Sequence, residues 1–120
     1  MDFNLEMQKV VESVEHSLAC CLIGFDGIGV GAYVKPDAEL DIELMGAELS
    51  GLLSQLRHSA TVRETGEPDE FFYSSEKCRM IFRVVTPDYF IALALGSEGL
   101  TGKARHKLKI LSSGIKDELL

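Results

Sequence analysis

The sequence predicts a single α+β domain of three layers, with helices on both faces of a β-sheet, and three observations carry that reading. Segments with apolar residues at three- and four-residue spacing alternate with short β-branched and aromatic runs, in the order helix, two strands, helix, three strands, helix. The run Phe90-Ile-Ala-Leu-Ala-Leu95 is apolar on both alternating faces, so it belongs in the middle of a sheet covered on both sides. The 120 residues contain no internal repeat, linker or low-complexity stretch that would divide residues 1–120 into more than one domain.

Each element follows from its own residues. Phe3, Met7, Val10, Val11, Val14 and Leu18 recur at helical spacing, which predicts an amphipathic helix ending near Glu15 to Ser17. Leu18 to Phe25 is a two-sided apolar strand, Asp26-Gly27 is a hairpin turn, and Ile28 to Val34 returns as the second strand. Lys35-Pro36-Asp37 has turn chemistry, and Asp41 can cap a helix that runs on to about Glu64. Thr65-Gly66-Glu67-Pro68 stops that helix, with Gly66 at its C-terminal cap. Glu70 to Ser75, Lys77 to Thr86 and Tyr89 to Gly96 then form a meander that turns at Pro87-Asp88, and Ala104, Leu108, Leu111, Ile115 and Leu119 mark a closing helix.

The central helix carries two non-random faces. Ile42, Met45, Leu49, Leu52, Leu53, Leu56 and Ala60 form an apolar arc suited to a core. The adjoining arc collects Gly46, Ala47, Ser50, Gly51 and Ser54, and a glycine inside a helix costs about 1 kcal/mol relative to alanine. Such small residues serve either a cramped spot within the monomer or the close approach of a partner helix. Phe71, Phe72 and Tyr73 place aromatic groups on both faces of a strand short enough to be an edge, which invites pairing with another chain unless loops cover it.

Composition excludes several function classes. A net charge of -7 opposes binding to a phosphate backbone. No apolar run reaches the ~18 to 20 residues of a membrane span, and the first residues lack the order of a signal peptide, so a cytoplasmic protein is expected. Cys20, Cys21 and Cys78 are odd in number and lack Cys-x-x-Cys spacing, which reads as buried free thiols. Only Cys78, between Lys77 and Arg79, has basic neighbours, and on a strand those point to the opposite face, so a thiol enzyme or small-molecule sensor is the weaker reading. His16, His58 and His106 fall in separate helical segments without paired spacing, so no metal site is expected. Gly24, Gly29 and Gly31 are not followed by a helix start and a Walker-type lysine, which argues against a nucleotide loop. The basic run Lys103, Arg105, His106, Lys107 and Lys109 opens the last helix, as a solvated face or as a docking patch for an acidic partner.

Two phrases resemble the Roadblock family of small dynein-light-chain-type and GTPase-associated domains: Val10 to Leu18 leading into Leu22-Ile-Gly-Phe-Asp-Gly-Ile28, and Gly99-Leu-Thr-Gly-Lys-Ala-Arg-His106. With the order of elements, the similarity spans nearly the whole chain. It implies a longin/profilin-like fold, a five-stranded antiparallel sheet in the order 2-1-5-4-3 with the first and last helices on one face and the central helix on the other. It also implies a homodimer joined through the third strand and the central helix, which here would use Phe71, Phe72 and Tyr73 with the arc of Gly46, Ala47, Ser50, Gly51 and Ser54.

The function implied is non-enzymatic: a platform that binds and helps regulate a Ras-like small GTPase, or a structural light chain or scaffold without a nucleotide-dependent partner. The sequence ends at Leu120, just after the last helix, where some bacterial members continue, so binding is expected rather than stimulation of hydrolysis. No catalytic residue or cofactor is expected. If two central helices lie together, Glu43, Ala47, Arg57, His58 and Thr61 on the outer margin of the arc are the candidates to meet a partner.

Overall fold

The computed structural model describes residues 1–119; Leu120, the last position of the expected domain, lies outside the described residues. Helix α1 (Phe3–Ser13) begins at Asp2, whose side chain accepts a hydrogen bond from the Leu5 amide at 3.2 Å. It ends earlier than its apolar spacing suggests, and His16 takes a left-handed φ of 64° that turns the chain into β1 (Ser17–Gly24). The Asp26-Gly27 turn forms as expected: Gly27 has φ 88° and Asp26 Oδ1 accepts from the Ile28 amide at 2.9 Å before β2 (Gly29–Val34).

The central helix needs a correction. Asp41 caps it as expected, accepting from the Leu44 amide at 3.1 Å, but α2 covers only Ile42–Arg57. His58 Nδ1 lies 2.7 Å from the Ser54 carbonyl, the acceptor a continuing helix would give to the His58 amide, and that amide bonds to Gln55 and Leu56 instead. Ser59 then caps a separate short helix, α3 (Ala60–Thr65), by accepting from the Val62 amide at 3.3 Å. Gly66, at φ 96°, ends α3 where the sequence places a glycine cap.

Strands β3 (Glu70–Ser74), β4 (Cys78–Thr86) and β5 (Tyr89–Gly96) follow, then α4 (Thr101–Ile115) and a 3₁₀ turn, Lys116–Leu119. The five strands form one antiparallel sheet in the order β2-β1-β5-β4-β3, the order implied by the Roadblock resemblance. Strand β5 separates two cores. Ile91, Leu93 and Leu95 face α1 and α4 with Met7, Val11, Ala104 and Leu108, while Phe90, Ala92 and Ala94 face α2 with Ile23, Ile42 and Leu53.

The two sheet edges differ. On β2 the first turn of α1 crosses the strand, with Asn4 Oδ1 accepting from the Ala32 amide at 2.9 Å. A Cβ on Gly31 would stand 2.6 Å from Phe3 Cβ and 3.0 Å from the Phe3 carbonyl carbon, so glycine is what permits this close crossing. Gly31→Ala is therefore expected to destabilise the fold by about 1 to 3 kcal/mol, read as a lower midpoint in urea, because α1 must lift from β2. Strand β3 has no such cover: Phe72 and Tyr73 are 55% and 51% exposed.

Candidate functional site

The site is built by the way α2 is rotated on the sheet. Its buried residues are Ile42, Gly46, Ser50 and Leu53, so the helix rests partly on its small-residue side. Gly46 makes that possible: a Cβ there would lie 3.2 Å from Ile23 Cδ1 and 3.3 Å from Cys21 Sγ. Ser50 and Ala47 pack against Gly27 of the hairpin turn, and Ser54 Oγ donates to the Phe25 carbonyl at 3.3 Å. Three of the five small residues, Gly46, Ser50 and Ser54, therefore serve the monomer's own packing. Ala47 and Gly51 remain exposed, and a Cβ on Gly51 would meet nothing within 4 Å.

The same rotation corrects the expected core face. Ile42 and Leu53 are buried and Met45 and Leu49 half-buried, but Leu52 is 54% and Leu56 41% exposed. Because the small-residue side of α2 meets the β1-β2 hairpin, its leucine flank overhangs the opposite direction, towards β4 and the open edge β3. On the α2 side of that edge, Phe71 and Tyr73 stand opposite Phe82 and Met80. Leu52 and Leu56 on this flank of α2 and Tyr73 on the same side of the sheet are thus uncovered apolar side chains. Leu44, 56% exposed, adds an apolar side chain to the outer face. Helical spacing alone cannot reveal this exposure, since it finds an apolar arc but not how far the arc is turned from the sheet.

The expected partner-facing residues separate. Glu43 and Ala47 are exposed on the flank of α2 beside the β1-β2 hairpin, His58 is exposed at its C-terminal end, and Thr61 is exposed on α3. About 22 Å of helix separates residue 43 from residue 58, so the five do not form one spot. Arg57 is committed within the monomer: its guanidinium lies 4.2 Å from the centre of the Phe25 ring, Nη1 donates to the Pro87 carbonyl at 2.7 Å, and Nε lies 3.6 Å from Glu67. The other four arginines are also engaged: Arg63 with the His58 carbonyl, Arg79 with the Gly99 carbonyl, and Arg83 and Arg105 with Glu70.

The cysteines are free thiols. Burial pushes Cys20 well above the ordinary thiol value, and Cys21 up to about 12, with the nearby Glu43 carboxylate adding to the rise and a backbone hydrogen bond from Ala92 opposing it. Half-buried Cys78 is raised by desolvation alone, the reverse of what a nucleophile needs. The folded state thus keeps the Cys21 proton while the unfolded chain releases it above pH 9.0, so stability present below that pH is lost as pH rises towards 12. At pH 10 this contribution is about 1.4 kcal/mol, and Cys21→Ala is expected to flatten that part of the alkaline loss in urea titrations.

Among the described residues no His, Cys, Asp and Glu cluster could hold a metal ion, and no helix is long and apolar enough to cross a membrane.

No protein-family model and no curated protein matches the chain. Solved structures do. MglC from Myxococcus xanthus is 39% identical over 98% of this chain and 99% of its own, with a TM-score of 0.70. A Roadblock/LC7 domain from Streptomyces avermitilis is 20% identical over 99% and 98% of the two chains, with a TM-score of 0.84. Acanthamoeba castellanii profilin IA shares the fold at 9% identity, covering 99% and 100%, with a TM-score of 0.67. The chain belongs to the Roadblock family.

Proposed function

We propose that this chain is a homodimeric, non-enzymatic platform that binds and helps regulate a Ras-like small GTPase, joined through β3 and α2 and presenting paired α2 helices to the partner. The observation that carries the reading is the set of exposed apolar side chains on the α2 side of the sheet, Leu52, Leu56 and Tyr73, together with the open edge of β3. A second copy would cover them while leaving Glu43 and Ala47 towards solvent. Gly46, Ser50 and Ser54 contribute by holding α2 close to its own sheet, and Gly51, Phe71, Phe72 and Tyr73 lie where the second copy would meet them.

Engagement of all five arginines within the monomer supports binding rather than the supply of a catalytic arginine. The raised thiols weigh against covalent chemistry, and a soluble cytoplasmic location fits such a role.

Ala47→Trp tests the platform, because Ala47 is exposed beside the Gly27 turn, outside the core, where a bulky side chain adds a steric obstacle. The expected result is a folded dimer whose affinity for its Ras-like GTPase partner falls by at least ~10-fold, about 1.4 kcal/mol, with oligomeric state measured on the same sample. Unchanged affinity would place the partner elsewhere. Binding that is equal in the GDP and GTP states would favour the scaffold or light-chain role over regulation of the GTPase.

A further inference from the structure

At the β2 edge of the sheet, the hydrogen-bond ladder determines which backbone groups could receive another strand. Lys35 donates its amide to the Leu18 carbonyl at 2.9 Å, so here the odd-numbered residues of β2 bond to β1, while Ala32 and Val34 turn their amides and carbonyls outward. Val30 does not extend that row. Leu22 and Ile23 pair with Gly31 and Gly29, which makes Val30 the extra residue of a bulge and puts it out of register. Ala32 and Val34 are therefore the regular docking pair of this edge, and Asn4 Oδ1 takes the Ala32 amide at 2.9 Å. Three features of the sequence put it there. Asp2 caps α1 and fixes its first turn, Gly31 lets Phe3 cross the strand where a Cβ would not fit, and the exposed Asn4 contributes an acceptor rather than buried surface.

We propose that the first turn of α1 is an autoinhibitory contact on the β2 edge, in which Asn4 keeps the β2 strand of a second copy of this chain from pairing there. The edge is complementary to itself. In an antiparallel pair with its two-fold axis at Tyr33, Ala32 of each copy exchanges hydrogen bonds with Val34 of the other, and neither residue carries a charge to oppose the contact. Asn4 withholds one of the two donors that each copy must supply. The consequence reaches beyond this edge: a chain that paired through β2 as well as β3 would join two others, and the assembly would grow without closing. The contact lies at the edge opposite β3 and does not depend on the proposed dimer or on the GTPase platform.

The test is Asn4→Ala in the full chain, with mass followed by sedimentation from micromolar to millimolar concentration and the urea midpoint measured on the same sample. The expected result is a folded protein that associates beyond the parent's state at least ~10-fold more tightly, with the Val34 amide newly protected from hydrogen exchange in the associated form. Asn4→Asp keeps an acceptor of the same reach and should behave as the parent chain. Asn4→Ala/Ala32→Pro removes the freed donor, spares the ladder to β1 and should return the mass to the parent's. Adding Phe72→Pro to Asn4→Ala should leave the new association in place, which separates failure here from failure of pairing through β3. An unchanged mass in Asn4→Ala, association without protection of Val34, equal association of Asn4→Asp, or association that persists in Asn4→Ala/Ala32→Pro would overturn the proposal.

Discussion

Gly46→Leu is expected to destabilise the protein by about 3 kcal/mol, the upper end of what overpacking a core costs, and to lower its melting temperature by roughly 10 °C. The first added atom is already crowded, with Ile23 Cδ1 at 3.2 Å and Cys21 Sγ at 3.3 Å from where a Cβ would stand. Both neighbours belong to β1 in the middle of the sheet and are buried, so they cannot swing into solvent as an exposed side chain could. The remaining leucine atoms therefore push α2 outward, parting Ile42 and Leu53 from the core beneath.

Gly51→Leu on the same helix gives the contrast. Nothing lies within 4 Å of its would-be Cβ, so the monomer should keep or gain stability through the better helix propensity of leucine. Calorimetry of the two variants separates a glycine required by the monomer from one that is not. Similar losses in both would mean that α2 does not rest on the sheet through Gly46.

Why some of this was legible in the sequence and some was not comes down to the range of the forces involved. Asp26-Gly27, Asp41 and Gly66 act within a few residues of themselves, so their turn and caps could be read directly. The two-sided run of β5 reports burial by its own composition, which placed it mid-sheet with helices on both faces. The break at His58 and Ser59 was missed because the apolar spacing continues through Ala60, while the bond from His58 to the Ser54 carbonyl competes with the helix. The strand order came from family resemblance, since hairpins alone do not say which edges meet.

The site was legible in its ingredients but not in its orientation. Small residues on α2 signalled close approach, yet whether Gly46 approaches β1 of its own chain or another helix depends on the rotation of α2, a tertiary quantity. Arg57 looked free because the Pro87 carbonyl that holds it is 30 residues away in sequence. Leu52 and Leu56 looked buried because they share an arc with Leu53.

Phe72→Pro is expected to convert the proposed dimer to a monomer at micromolar concentration, weakening association by at least ~100-fold, equivalent to about 2.7 kcal/mol. The backbone geometry of β3 makes this a selective change. Ser75 donates its amide to the Cys78 carbonyl and the Asp69 carbonyl accepts from Val84, so odd-numbered residues bond to β4. Phe72 lies between them and turns its amide to the open side of the edge. Proline removes that outward donor and spares the ladder to β4, a placement that edge strands tolerate.

Loss of the Phe72 ring adds little to the monomer's instability, because the ring is 55% exposed. Sedimentation of the variant beside Phe72→Ala separates the two contributions: if backbone pairing joins the copies, proline acts far more strongly than alanine. Equal dimerisation of Phe72→Pro and the parent chain would rule out pairing through β3 and leave the α2 flank, Leu52 and Leu56, as the surface that a second copy must cover.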